Sequence, residues 1–392
     1  MAPPNTVDAG LVHRQVQASV SKEATPKYER DYKVPEFTIK ELRESIPAHL
    51  FERSAIKSLS HVAIDLIYAA LLFLAAMQID KVESPLIRWG VLWPAYWVAQ
   101  GIVCTGIWVL AHECGHQAFS TSKLLNNAVG WVLHSALLVP YHSWRISHSK
   151  HHKATGHMTK DQVFVPKTRT QVGLAPKKAD AAHDDHDHHD GLDEEAPIVT
   201  LFYMLVQFLF GWPAYLIINA SGQDYGEWTS HFHTWSPIFE PRNYNDVVFS
   251  DFGVLFALAG LYYLSAKFTF LAVVKYYGIP YLFVNFWLVL ITYLQHTDPK
   301  LPHYREGVWN FQRGALCTVD RSFGILDYFF HHITDTHVAH HLFSQMPFYH
   351  AEEATVHLKK VLGEYYIWDD TPIALACWRS FRECRFVEDE GE

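Results

Sequence analysis

Three short histidine clusters, His112-Glu-Cys-Gly-His116, His148-Ser-Lys-His151-His152 and His337-Val-Ala-His340-His341, are the residues of this sequence best suited to chemistry. Within each, imidazoles recur at i and i+3 or i+4, so on a helix they share one face with Cβ atoms about 5–6 Å apart. That separation lets two rings converge on one metal ion. Eight convergent imidazoles exceed the needs of a single tetrahedral ion, so the pattern points to two metals. Imidazole serves zinc, copper, iron and nickel alike, and ligand type alone does not choose among them. A further candidate is His296 in Thr292-Tyr-Leu-Gln-His296, which ends an apolar stretch much as His116 does.

Other readings of the same residues compete. The first cluster is also His112-Glu113-x-x-His116, the signature of a membrane zinc metalloprotease in which Glu113 would be the base. Such an enzyme needs one more ligand, not six more histidines. A metal transporter could use the His/Asp run His183-Asp-Asp-His186-Asp-His188-His189, but that run lacks apolar periodicity and sits between the breakers Pro176, Gly191 and Pro197, as expected of a solvated loop. A transporter should also carry ionisable groups in several spans, and only Asp65 and Lys267 qualify. Both are expected at interfacial or protein-facing positions. His331 and His332 are expected to support the ligands, with Asp335, Asp327, Glu113 and Asp161 as carboxylates able to orient ligating rings.

The elements that must position these groups follow from apolar length. Of the 392 residues 49% are hydrophobic and only 19% charged, against roughly 25% charged in soluble domains. Measured against the ~20 residues a helix needs to cross a bilayer, segments 61–79, 89–110, 254–274 and 279–296 are expected spans. They form two hairpins, the second turning at Lys275-Tyr-Tyr-Gly278. Segments 124–140 and 199–219 are expected to lie in the interface, because all clusters can share one side only if an even number of crossings separates them. Arg43, Arg53 and Lys57 before the first span, and Lys123, Arg145, Lys150 and Lys153 after the second, make that side cytosolic. The expected fold is therefore an all-α integral membrane protein with four transmembrane helices in two hairpins, interfacial helices and a cytosolic helical cap carrying the metal site.

Flanking regions are expected to be loose. Residues 1–33 read as a flexible tail, 174–197 as a disordered acidic loop and 388–392 as a C-terminal tail, leaving one membrane domain over 34–387. A capping box at Thr38-Ile-Lys-Glu41 should start a short helix that ends near Pro47. The stretch 180–195 holds eight acids and no Lys or Arg, which accounts for nearly all of the net charge of −9. The acidity is thus local, and nothing suggests nucleic acid. Five dispersed cysteines make no disulfide framework and no zinc ribbon.

The clusters, together with LITYLQHT, TVDRSFGILDYFFHHITDTHVAHHLFSQMPFY and the upstream VPEFTIKELRESIPAHLFERS, resemble the membrane fatty-acid desaturases, and most closely the Δ12 (omega-6) oleate desaturases of plants and fungi. The likeness runs from about residue 34 to 387. It implies that His112, His116, His148, His151, His152, His337, His340 and His341 are ligands of two non-haem iron ions, with His296 as the ninth. It also implies dioxygen as co-substrate, electrons from cytochrome b5 and its reductase, and an acyl chain carried on phospholipid or CoA. An enzyme of this kind sits in the endoplasmic reticulum membrane, as a monomer or a homodimer, and converts oleoyl to linoleoyl groups in a tunnel between the spans. Bifunctional Δ12/omega-3 desaturases and related fatty-acyl hydroxylases share nearly the same boxes. Gln117 stands where many plant members have another histidine, so that position is not expected to be an indispensable ligand. Stretch 180–195 looks inserted relative to the plant enzymes. No His-Pro-Gly-Gly haem signature appears, so the donor should be a separate protein. A third box beginning with histidine, not glutamine, argues against front-end Δ5 or Δ6 chemistry.

Overall fold

The structure is a computed structural model that describes residues 35–176 and 196–390. The 1–33 tail, the 183–189 histidine run and nearly all of the 174–197 loop lie outside the described residues, so the expectations for them stand apart. Among the described residues the elements are helical, joined by loops with isolated bridges. The expected capping box forms: Thr38 Oγ1 accepts from Glu41 N, and the Glu41 carboxylate accepts from Thr38 N at 2.8 Å, starting α1 (Ile39–Glu44). At the other end, Arg169 pairs with Glu388 and Thr170 N donates to Asp389, so the beginning of the expected C-terminal tail is tied to the segment before the acidic loop.

Two hairpins organise the apolar part. The first pairs α2 (Ala55–Ile79) with α3 (Trp93–Gly115), and the second pairs α7 (Tyr244–Lys267) with α8 (Ile279–His296). Shorter helices α4 (Lys123–Ala136) and α5 (Tyr141–Ala154) follow α3, and α6 (Pro197–Ile218) precedes the second hairpin. A cap contains α9 (His337–Leu342), α10 (Ala351–Leu362) and α11 (Ile373–Glu383). Among the described residues, five stretches are long and apolar enough to cross a bilayer: Ala55–Ile79, Pro85–Gly115, Pro197–Ile218, Pro241–Lys267 and Phe270–His296. The extra one relative to the expected four is α6; at 14 residues, α4 is too short to cross. Large apolar side chains such as Ile67, Leu71, Phe256 and Tyr262 project from α2 and α7 more than half exposed, the condition of helices solvated by lipid. The chain is a membrane protein.

The second hairpin turns earlier than its sequence suggests. The helix breaks at Phe268-Thr269, where the Thr269 hydroxyl accepts from Ala272 N and starts the return. Lys275-Tyr-Tyr-Gly278 does not reverse the chain; it belongs to a π-helical stretch, Val274–Gly278, within the returning helix. The first hairpin has the same device at Arg88–Leu92. Each π-helical stretch is followed within two residues by a proline, Pro94 or Pro280, which has no N–H for the i→i−4 bond. Ile279 N then reaches Val274 O, leaving the Lys275 and Tyr276 carbonyls to find other donors. Trp97 Nε1 donates to the first at 2.9 Å and Tyr96 OH to the second at 3.0 Å. With Lys275 Nζ 2.5 Å from Asp80 Oδ2, the two hairpins are latched together at the ends remote from the histidines.

Proline shapes α6 as well. Pro213 lies inside the helix and leaves Leu209 O without its usual donor, and the buried Asn285 of α8 supplies one, Nδ2 donating at 3.2 Å. Beyond α6, Lys150 of α5 donates to Ile238 O, and His231 and Ser147 of α5 lie 2.9 Å apart. Helix α7 then begins against α5, where Ser250 Oγ accepts from His142 N and Ser143 N. Both ion-bearing span positions take bland places: Lys267 is exposed at the end of α7, and Asp65 is buried 2.7 Å from His331 Nε2.

Candidate metal centre

Four helix segments deliver nine imidazoles to one place. The C-terminal turn of α3 and the residue just beyond it carry His112 and His116, α5 carries His148, His151 and His152, α8 ends on His296, and α9 carries His337, His340 and His341. They divide into two groups. In the first, Nε2 atoms are 3.2 Å apart for His112 and His116, 3.0 Å for His116 and His148, and 3.1 Å for His148 and His152, with His340 within 4.8 Å of them all. In the second, His337 Nε2 lies 3.1 Å from His296 Nε2 and 3.0 Å from His341 Nε2, and His151 joins His296 and His341 within 4.8 Å. The His152 and His341 rings stack at 4.1 Å between the two groups.

The donor set fits metal ions. Nitrogen ligands at about 2.0–2.1 Å from an ion are about 2.8–3.4 Å from each other in octahedral or tetrahedral arrangement, a range that includes the Nε2 separations. Rings facing one another nitrogen to nitrogen cannot satisfy one another as hydrogen-bond partners throughout, and His340 Nε2 has no partner at all. Burial, reinforced by neighbouring imidazoles, holds His152, His337, His340 and His341 well below the ordinary histidine range, in the neutral form that ligates.

The outer partners follow the sequence only in part. Asp161 Oδ1 is 2.6 Å from His151 Nδ1, and the carboxylate is itself fixed by Gly156 N and Gln162 N. Glu113 Oε1 lies 3.2 Å from His112 Nδ1 and 3.7 Å from His340 Nδ1. Asp335 instead pairs with His332, and Asp327 is occupied by Ser322, Phe323 N and Thr334. His331 and His332, expected to support the ligands, have left-handed φ of 51° and 60° and carboxylate partners of their own, Asp65 for His331 and Asp335 for His332.

Two supports were not legible as such. Thr155 Oγ1 lies 3.2 Å from His341 Nδ1. The segment 318–321 clamps two ligand-bearing ends together: Thr318 Oγ1 and Val319 N donate to Gln295 O, Arg321 Nε donates to Leu294 O, and Asp320 Oδ1 accepts from Val338 N in the first turn of α9. Arg321 is fully buried between Asp298 and Asp369. The only sequence signal was a buried-type ion set spread over 71 positions, from Asp298 to Asp369, which no local pattern joins.

Below the histidines lies a largely apolar cavity between α3, α6 and α8, with His112, His148, His151, His296 and His337 in its wall and Val109, Leu288 and Ile291 beneath them. Glu113 does not line it; the carboxylate stands behind His112, away from the space a substrate would fill. The metalloprotease reading needs that carboxylate beside an attacking water, and Glu113 is not in the wall of this cavity.

The sequence matches the family model described as fatty acid desaturase over residues 88–372. It is 74% identical over 395 aligned positions to a protein named Delta(12) fatty acid desaturase from Mortierella alpina, covering 100% of this chain and 98% of the relative. It is 46% identical to the Delta(12)-fatty-acid desaturase FAD2 of Vernicia fordii, over 91% of this chain and 90% of the relative. A Glycine max protein named omega-6 fatty acid desaturase, endoplasmic reticulum isozyme 1, is 45% identical over 91% and 88%.

Proposed function

The chain belongs to the fatty acid desaturase family, and from that premise we propose that it is a Δ12 (omega-6) desaturase that converts oleoyl to linoleoyl chains in the endoplasmic reticulum membrane. The observation that carries this reading is the placement of nine histidines in two groups at the head of an apolar, membrane-embedded cavity. Identity of 74% to a fungal relative named for Δ12 activity supports the regiochemistry.

His112, His116, His148, His152 and His340 would hold one iron, and His151, His296, His337 and His341 the other. When bound, such a pair supplies activation of dioxygen with electrons from a separate donor, here taken to be cytochrome b5 with its reductase. The protein supplies orientation and dryness. Asp161 holds the His151 ring by its Nδ1 side and Thr155 holds His341, so the opposite nitrogens face inward. Val109, Leu288 and Ile291 give the acyl chain a surface with no competing hydrogen-bond partners, and the adjoining lipid gives it a route in.

The same reading has four crossings, by α2, α3, α7 and α8, with the histidines and cap on the cytosolic side. Supporting this, the segment after α6 is bonded to α5 through Lys150 and His231, and α7 starts against α5 through Ser250. A crossing by α6 would have to be undone before that segment could reach α5.

Expression in a yeast that makes no linoleate, followed by fatty-acid methyl ester analysis, tests the proposal. Linoleate should appear; alpha-linolenate beside it would indicate bifunctional chemistry. His340→Ala should abolish product and lower bound iron, whereas replacing His183, His186, His188 and His189 should change neither. An unchanged fatty-acid profile with the wild-type protein present in the membrane would sink the assignment.

A further inference from the structure

Most interior glycines of the apolar helices are demanded by packing. A Cβ on Gly101 would collide with Phe283, on Gly106 with the Phe329 carbonyl, and on Gly253 with Ser135. Gly211 in α6 is different. A Cβ there would meet only Gln207 Cγ at 3.5 Å and the Val289 methyls at 3.8 and 3.9 Å, which is ordinary contact, and the backbone is helical. Glycine weakens a helix interior relative to alanine, so neither close approach nor backbone conformation accounts for it. What Gly211 does is line the cavity, and it does so at the end remote from the histidines.

The depth of that end is set by two helices. On those helices the lining residues farthest along the chain from a wall histidine are Thr105 on α3 and Leu288 and Val289 on α8. Thr105 and Val289 each lie seven residues before a wall histidine, His112 and His296. At 1.5 Å per residue that is about 10 Å. Such a depth accommodates the few carbons between the reacting position of an oleoyl chain and its methyl end. It is too short for the carboxyl-side half with its carrier, which must leave by another side.

Resting on the desaturase reading above, we infer that Gly211 is a specificity-determining residue: its missing side chain leaves room for the methyl end, and so sets how long a chain can extend past the metal centre. Substitution shortens the space from the bottom. A chain two carbons shorter, desaturated at the same distance from its carboxyl end, keeps its fit longer than oleoyl does.

A yeast strain containing both hexadecenoyl and octadecenoyl substrates reads this as a ratio within one culture, independent of how much enzyme folds. Gly211→Leu should raise the ratio of hexadecadienoate to octadecadienoate at least five-fold over wild type, and Gly211→Ala should raise it by a smaller factor. Gly260→Leu, on the uncovered face of α7 with nothing within 4 Å of its Cβ position, should leave it unchanged. An unaltered ratio in both Gly211 variants, or a loss of both products in equal proportion, would overturn the inference. Absence of both dienes from wild-type cells would instead count against the desaturase reading itself.

Discussion

An imidazole binds metal only when neutral, turned the right way and held there. Burial supplies the first condition for the cap histidines, since the charged form is penalised where water is excluded. Asp161 supplies the other two for His151, because a carboxylate at 2.6 Å from Nδ1 fixes both tautomer and ring plane. Removing the acceptor's charge while keeping its shape isolates that role. Asp161→Asn should cut desaturation about 10- to 100-fold and reduce iron retained on purification, a loss typical of altered outer partners of metal ligands. Full activity with full iron would mean that His151 is oriented by packing alone. Asp335→Asn, acting on a carboxylate paired with His332 and not with a ligand, should have the smaller effect on both readouts.

Helices carry the ligands, and several of them are interrupted in ways that neighbouring elements repair. Pro280 with its π-helical stretch frees carbonyls that Tyr96 and Trp97 satisfy, and Pro213 frees one that Asn285 satisfies. In lipid there is no water to substitute, so each repair also fixes the packing of one helix on another. Asn285→Leu removes the donor to Leu209 O and should cost about 1–3 kcal/mol, the range for a buried polar group left unpaired. The midpoint of thermal unfolding in detergent should fall accordingly. An unshifted midpoint would show that the α6 carbonyl has another donor. Because α6 forms a wall of the cavity, the same variant should lose activity at temperatures where the parent is still folded.

At the scale of the molecule, the hairpins are latched at one end by Asp80, Lys275, Tyr96 and Trp97 and meet at the other around the histidines. The metal end has nine inward imidazoles from four elements, so bound ions would act as cross-links between α3, α5, α8 and α9. Anything that binds the folded state alone stabilises it by mass action. Iron removal by a chelator should therefore lower the thermal midpoint, with recovery on adding ferrous iron. Helical content below the transition should stay unchanged, since the apolar spans hold their backbone hydrogen bonds without the metal. Equal midpoints with and without iron would show that the latch and the Arg321 ion set hold the cap by themselves.

Much of this was legible along the chain. Ligand spacing within each cluster is a local property of helices, and so are the apolar lengths of the hairpin segments and the Thr38 cap. Asp161 was legible because it follows its histidine closely. The turn of the second hairpin lies elsewhere than its composition suggests, because Lys-Tyr-Tyr-Gly has turn-like composition while the carbonyls freed around the following proline find their donors on another hairpin. Which histidines share a group was decided only by tertiary structure: His151 and its neighbour His152 are adjacent in sequence yet belong to different groups, since successive residues on a helix point about 100° apart. The clamp at 318–321 and the space left by Gly211 arise likewise from contacts between distant segments. Sequence by itself determined which side chains could do the chemistry and that lipid must surround them; the packing of four helix ends decided how they are divided, supported and presented to a chain of limited length.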